Sequence, residues 1–142
     1  MDSTELASSL RVVVSSLHKG LRKRTSAMTT YSMTEMETIG HLFRNDFLLP
    51  TELANLTRIT TQSMSQILTK MEQQKLIKKT PSREDKRKVC ISLTASGRKL
   101  VDTTLYEKDE WLKNIIENNL TEKEKDILIK VLPVLNKLAE AK

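Results

Sequence analysis

The stretch Leu76–Thr94, LIKKTPSREDKRKVCISLT, leaves few structural options. Leu76–Thr80 and Lys88–Thr94 are short, alternating runs, too short for stable helices, with a charged, glycine-free segment between them. That pattern predicts two antiparallel strands joined by a polar loop. A lone two-stranded hairpin is marginal in water. Val89, Ile91 and Leu93 must therefore fasten the return strand to a core that other elements supply.

Those other elements read as helices. Leu6, Leu10, Val13, Val14, Leu17 and Leu21 recur at three- and four-residue steps, and the basic cluster Arg22-Lys23-Arg24 suits the negative end of a helix dipole. Thr34-Glu35-Met36-Glu37 has the form of a capping box, predicting a helix start near Thr34, with Met36, Ile39, Leu42 and Phe43 on the buried face. PTELANLT predicts a short helix from about Thr51 to Thr57, with Leu53 and Leu56 inward. Thr60 or Thr61 then caps TQSMSQILTKMEQQK, whose narrow apolar face is Met64, Ile67, Leu68 and Met71. Past the hairpin, a long helix is expected to about Asn118. A second box, Thr121-Glu122-Lys123-Glu124, opens a last helix in which Pro133 predicts a kink or break.

The resulting fold class is mainly α with a small antiparallel β-wing: a winged helix-turn-helix whose terminal helices form a dimerisation region. The 142 residues suit one domain. Residues 31–99 form the helix-turn-helix and wing lobe, and residues 1–26 and 100–142 form the helical dimerisation region. The first and last helices carry apolar stripes with no place in a compact lobe, so a homodimer follows, with a larger monomeric bundle as the alternative.

Charge narrows the partner. Residues 58–99 hold eleven lysines and arginines against three acids, whereas the segments on either side are neutral or slightly acidic. A cationic block of this kind fits a polyanion, with double-stranded DNA first, and a solvated basic face is the alternative. On the helix after Thr60, the outward side carries Gln62, Ser63, Ser65, Gln66, Thr69, Lys70 and Gln73, with no acid among them. These groups can hydrogen-bond base edges and phosphates.

Other classes find little support. Gly20, Gly40 and Gly97 are too scattered for a phosphate-cradling loop, and no nucleophile-elbow or paired Cys-x-x-Cys pattern occurs, so an enzyme is not expected. His18 and His41 share no metal-ligand spacing, and no cofactor is expected. No apolar run approaches the roughly 20 residues that span a bilayer. The N-terminus, with Asp2 and Glu5, lacks the order of a signal peptide, and a single cysteine gives no disulfide framework. A cytoplasmic location without membrane contact is the expectation. By strand alternation Cys90 points away from Val89 and Ile91, partly exposed beside Arg87 and Lys88, where its role is small-residue packing rather than redox chemistry.

Asp85-Lys86-Arg87, followed by Ile91-Ser92-Leu93-Thr94 and Gly97, resembles the D-x-R…L-T-x-x-G signature of the MarR family of transcription regulators. MSQILTKMEQQKLIKK is similar to that family's recognition helix and first wing strand. The resemblance implies a sequence-specific DNA-binding transcription regulator, a ligand-responsive repressor acting as a homodimer on a pseudo-palindromic operator. It implies that the helix Thr61–Gln74 enters the major groove, that Arg87 reaches the minor groove, and that Asp85 holds the Arg87 guanidinium. Arg83 and Lys86 would touch phosphates. The DNA-binding set is then Thr61, Gln62, Ser63, Ser65, Gln66, Lys70, Arg83, Lys86 and Arg87, with Asp85 stabilising the wing. A small aromatic effector is an implied partner, with Trp111 and Tyr31 as candidates to line its pocket, although core or interface packing is the commoner fate of such residues. Two departures stand out: Lys75 where relatives commonly have glycine, and Lys79 where they often have arginine. A winged-helix module that docks on another protein is the alternative function.

Overall fold

In the computed structural model the described residues are 1–141 except 24, 26, 28 and 29, so Arg24 of the expected basic cluster lies outside them. The elements run α1 Ser3–Lys23, α2 Met33–Phe43, α3 Pro50–Thr57, α4 Thr61–Gln73, β1 Ile77–Pro81, β2 Val89–Leu93, α5 Ala95–Asn119 and α6 Glu122–Glu140. Among the described residues no helix is long and apolar enough to cross a membrane.

The core lies where α2, α3, α4 and the hairpin meet. Ile39, Leu42, Leu53, Met64, Met71 and Ile91 are fully buried, and Leu68 is nearly so. Burial of an aliphatic side chain contributes roughly 1.5–3 kcal/mol, so this cluster dominates the stability of the lobe. On α3 the buried set is Leu53, Ala54 and Thr57, and Leu56 is 47% exposed, contrary to expectation. At 3.6 residues per turn, Leu56 lies about 100° from the centre of that buried arc. Eight residues cannot wrap an apolar face that wide.

Helix starts follow side-chain chemistry with one correction. Thr60 caps α4 and Thr121 caps α6, each accepting from the backbone three residues on, at 3.0 and 3.2 Å. Helix α2 begins earlier than expected. Its cap is Ser32, whose hydroxyl accepts from the Glu35 N–H at 3.1 Å, while the Thr34 carbonyl accepts the Thr38 hydroxyl. Ser32-Met33-Thr34-Glu35 carries the same box spacing as the Thr34 reading, and the demand that Ile39 and Leu42 point inward does not distinguish the two starts. In the Ser32 start the Glu35 side chain does not close the box but reaches Lys70 instead.

Helix ends explain Lys75. The Leu76 N–H bonds the Met71 carbonyl at 3.0 Å and the Lys75 N–H bonds that of Glu72 at 2.9 Å, while Lys75 has φ 63°. This is the double bond of a left-handed helix end, which favours glycine. Arg58 ends α3 the same way, at φ 58°. Lys75→Gly is therefore expected to raise stability by about 0.5–1 kcal/mol, read from the urea midpoint. A lower midpoint would show that the lysine side chain compensates for its own backbone strain.

The hairpin pairs Ile77 with Leu93 through to Pro81 with Val89. On its far edge, Ile91 exchanges two backbone bonds with Leu48, at 2.8 and 3.0 Å, so β2 is held on both sides. Two strand expectations change. Cys90 is buried, whereas Val89 is 38% exposed, so Ile91 and Leu93 alone fasten the strand inside. Simple alternation fails because the strand is only five residues long and is enclosed locally on both faces.

Pro133 does not break α6, which continues to Glu140. Proline has a helix-compatible φ, but it removes its own donation to the residue four back and its ring crowds that residue's carbonyl. That residue, Ile129, is 63% exposed, so its carbonyl is not sealed from water.

Candidate nucleic-acid interface

The outward side of α4 is built by its inward one. Met64, Leu68 and Met71 fix one side in the core, which leaves Thr61, Gln62, Ser63, Ser65, Gln66, Thr69, Lys70 and Gln73 exposed, and with them Glu72, an acid that projects between Ser65 and Thr61 at the edge of this side. No acid occupies the first turn, so the positive end of the helix dipole is uncompensated. Some hydroxyls are already engaged: Thr60 donates to Ser63 Oγ at 2.9 Å, and Thr69 donates to the Ser65 carbonyl at 2.9 Å. Gln62 and Gln66, one turn apart, present amides with both donor and acceptor. Lys70 differs from the rest: its Nζ lies 2.9 Å from Oε1 of Glu35, whose side chain is 8% exposed.

The wing follows α4 directly. Lys79 ties β1 back to Glu72 of α4 at 3.6 Å. The loop is shaped by the Ser82 N–H to the Lys88 carbonyl and the Lys88 N–H to the Asp85 carbonyl, each 2.9 Å. Asp85 organises the tip as expected. Its Oδ1 accepts the Arg87 backbone N–H at 3.0 Å and Nε at 3.1 Å, and its Oδ2 accepts a terminal nitrogen at 3.2 Å. The forked guanidinium matches the carboxylate, yet the Arg87 side chain stays 91% exposed. Arg83 and Lys86 are exposed beside it.

The Arg87 hydrogen bonds hold the Asp85 carboxyl below the usual carboxylate range. A depressed folded-state value means the contribution is present above the unfolded pKa of about 3.9 and is lost as pH falls through the folded value. The Arg87 amide resonance is thus expected to stay constant from pH 7 to 5 and to move only in stronger acid. A midpoint near neutrality, followed by NMR, would contradict this pairing.

The base of the wing explains the Thr94 and Gly97 positions. The Thr94 N–H bonds the Leu76 carbonyl at 3.0 Å, and its hydroxyl donates to the Lys75 carbonyl at 2.6 Å while accepting from the Gly97 N–H at 3.1 Å. Thr94 thereby caps α5 and clasps the end of α4. A Cβ at Gly97 would overlap the Leu76 carbonyl oxygen and come 2.9 Å from a Leu93 methyl.

A separate cavity of about 640 Å³ opens between α1, α2 and α5. Met33, Met36, Phe43, Val101 and Leu105 give it apolar walls, Arg22, Arg44 and Lys108 bring cations against the single acid Glu37, and the His18 imidazole completes the polar lining. The Arg22 Nε is buried with no hydrogen-bond partner among the described residues. Tyr31 and Trp111 do not line it. Tyr31 packs on the core, and Trp111 faces Gly20, where a Cβ would come 2.5 Å from the ring. The cavity residues were missed in the sequence because they lie on three helices and share no spacing.

Residues 32–88 match the MarR family, from the cap of α2 through the wing loop. Over that segment, the winged helix-turn-helix lobe, the chain is similar to the MarR family of regulators. The HTH-type transcriptional regulator MT0903.1 of Mycobacterium tuberculosis is 28% identical over 123 residues, covering 87% of this chain and 85% of that protein. The transcriptional regulator Tm0710 of Thermotoga maritima superposes with a TM-score of 0.82 at 15% identity, over 99% of this chain and 100% of the other. A mutant of S. aureus MepR bound to an oligodeoxyribonucleotide superposes with a TM-score of 0.70 at 22% identity, over 95% and 98% of the two chains. MepR bound to ethidium bromide gives a TM-score of 0.62 at 21% identity, over 97% of each. The family match stops at Lys88, short of the clasp that Thr94 makes with Lys75 and Gly97.

Proposed function

We propose that this DNA-binding transcription regulator acts as a homodimeric repressor on a pseudo-palindromic operator. The observation that carries the reading is the exposed amide and hydroxyl face of α4, with no acid in its first turn, continuous with a wing whose Arg87 is held out by Asp85. In this reading α4 enters the major groove. Gln62 and Gln66 read bases, with amides suited to adenine, and Thr61, Ser63 and Ser65 bond bases or phosphates. Arg87 enters the minor groove, and Arg83 and Lys86 neutralise phosphates. The lobe of residues 31–99 is the reader, and α1 and α6 are the dimer contacts. No catalytic step is assigned.

The cavity between α1, α2 and α5 supports an effector site. Its apolar walls fit an aromatic body, and it touches both the reading lobe and the expected dimer helices. Occupancy that favours a different spacing of the two lobes would release the operator.

Selection of bound duplexes from a random pool, followed by a salt series, tests the reading. An inverted repeat with half-site centres about 10–10.5 base pairs apart is expected. Sequence-blind binding would favour a protein-docking role for the fold. On the selected operator, Arg87→Ala is expected to weaken binding by about 1–3 kcal/mol without dissociating the dimer. Unchanged affinity would remove the wing from the mechanism.

A further inference from the structure

We propose that Glu35 is a positioning residue for the reading helix: its buried carboxylate holds Lys70 and thereby sets the rotation of α4. The inference rests on the reading of α4 as the helix that meets DNA. It assigns Lys70 to Glu35 rather than to a phosphate.

Glu35 behaves unlike the other glutamates in its sequence setting. Glu52 and Glu124 stand three residues after their helix caps, and each bends back to the cap backbone N–H at 2.9 Å. Glu35 stands three residues after Ser32 and receives the first half of that arrangement. Its side chain then leaves its own helix for Lys70, 35 positions along the chain. The residue is 6% exposed, and Oε2 has no hydrogen-bond partner among the described residues. An ionised carboxylate taken from water and left half-satisfied is costly to keep. The 2.9 Å bond to Lys70 is the compensation visible in the fold.

The other anchors of α4 select its inward side but hold its exact angle loosely. Met64, Leu68 and Met71 are apolar, two of the three are flexible methionines, apolar burial is non-directional, and the Glu72–Lys79 pair is longer, at 3.6 Å, and partly exposed. A charge-assisted hydrogen bond is directional. A turn of about 20° about the helix axis would carry a side-chain tip roughly 2 Å, enough to break a contact with a base edge. Lys70 lies one turn beyond Gln66, so its tether fixes the angle at which Gln62 and Gln66 leave the protein.

The test uses the full-length protein and two probes, the duplex recovered by selection and a scrambled duplex of equal length. Glu35→Gln, Lys70→Met and Lys70→Arg are compared well below the thermal midpoint of each. Glu35→Gln and Lys70→Met are each expected to lower the ratio of specific to non-specific affinity about tenfold or more. The double variant should be no worse than either single one, because both remove the same contact. Lys70→Arg, which keeps a cation, should largely restore the ratio. An unchanged ratio in both single variants overturns the inference. So does the opposite pattern, in which Glu35→Gln strengthens binding and Lys70→Met reduces the salt slope by about 0.9, the mark of a lost phosphate contact. Sequence-blind binding by the unaltered protein instead overturns the DNA reading on which the inference depends.

Discussion

Gly97→Val is expected to destabilise the fold by about 3 kcal/mol or more, a large share of the 5–15 kcal/mol typical of a domain. The position looks unremarkable in isolation: the third residue of α5, three after its cap. Its backbone, however, passes directly over the Leu76 carbonyl, which itself accepts the Thr94 N–H. The new side chain would meet a backbone oxygen at one side and Leu93 at the other, and neither can turn away. Separation of α5 from the hairpin would break the clasp between Thr94 and Lys75 as well. A urea titration is the appropriate measurement, with the slope compared to exclude a change in cooperativity. A loss under about 0.5 kcal/mol would show that α5 slides without resistance, and the account of the clasp would be wrong.

Leu128→Glu combined with Leu132→Glu is expected to weaken self-association by at least about 1000-fold, or roughly 4 kcal/mol. Neither α1 nor α6 buries a single described residue within one chain. Leu6, Val13 and Leu17 of α1 are 47–58% exposed, and Leu128 and Leu132 of α6 are 38% and 52% exposed. A two-fold interface repeats each substitution, so four leucines at roughly 1.5–3 kcal/mol each are replaced by charges. Sedimentation should show monomers at concentrations where the parent is dimeric, with unchanged helical circular dichroism because α6 contributes nothing to the core. Under the proposed homodimeric reading, in which each lobe holds one half-site, operator affinity should fall with it. A variant that stays dimeric places the interface elsewhere.

The local features of the reading lobe were legible in the sequence because they depend on neighbours along the chain. Thr60 and Thr121 cap where their hydroxyls reach the next turn. Asp85 and Arg87 meet because only Lys86 separates them in a tight loop. The inner stripe of α4 dictates its outer face. Legibility failed where two local solutions competed or where the element was short. Ser32 and Thr34 both offered a box, and Leu56 and Cys90 sit in elements of eight and five residues whose surroundings decide burial.

The sequence by itself determined the order of helices and strands, the cationic middle block and the amide and hydroxyl character of the outward side of α4, since these are properties of periodicity and residue type. Tertiary structure alone decided the partner of Lys70, the walls of the cavity and the need for glycine at 97. Each depends on groups distant along the chain: Glu35 against Lys70, α1 and α2 against α5, the Leu76 carbonyl against the start of α5. Helical periodicity reports which side of an element is apolar. It carries no information about which distant polar group will be enclosed beside it, because that follows from how the elements pack.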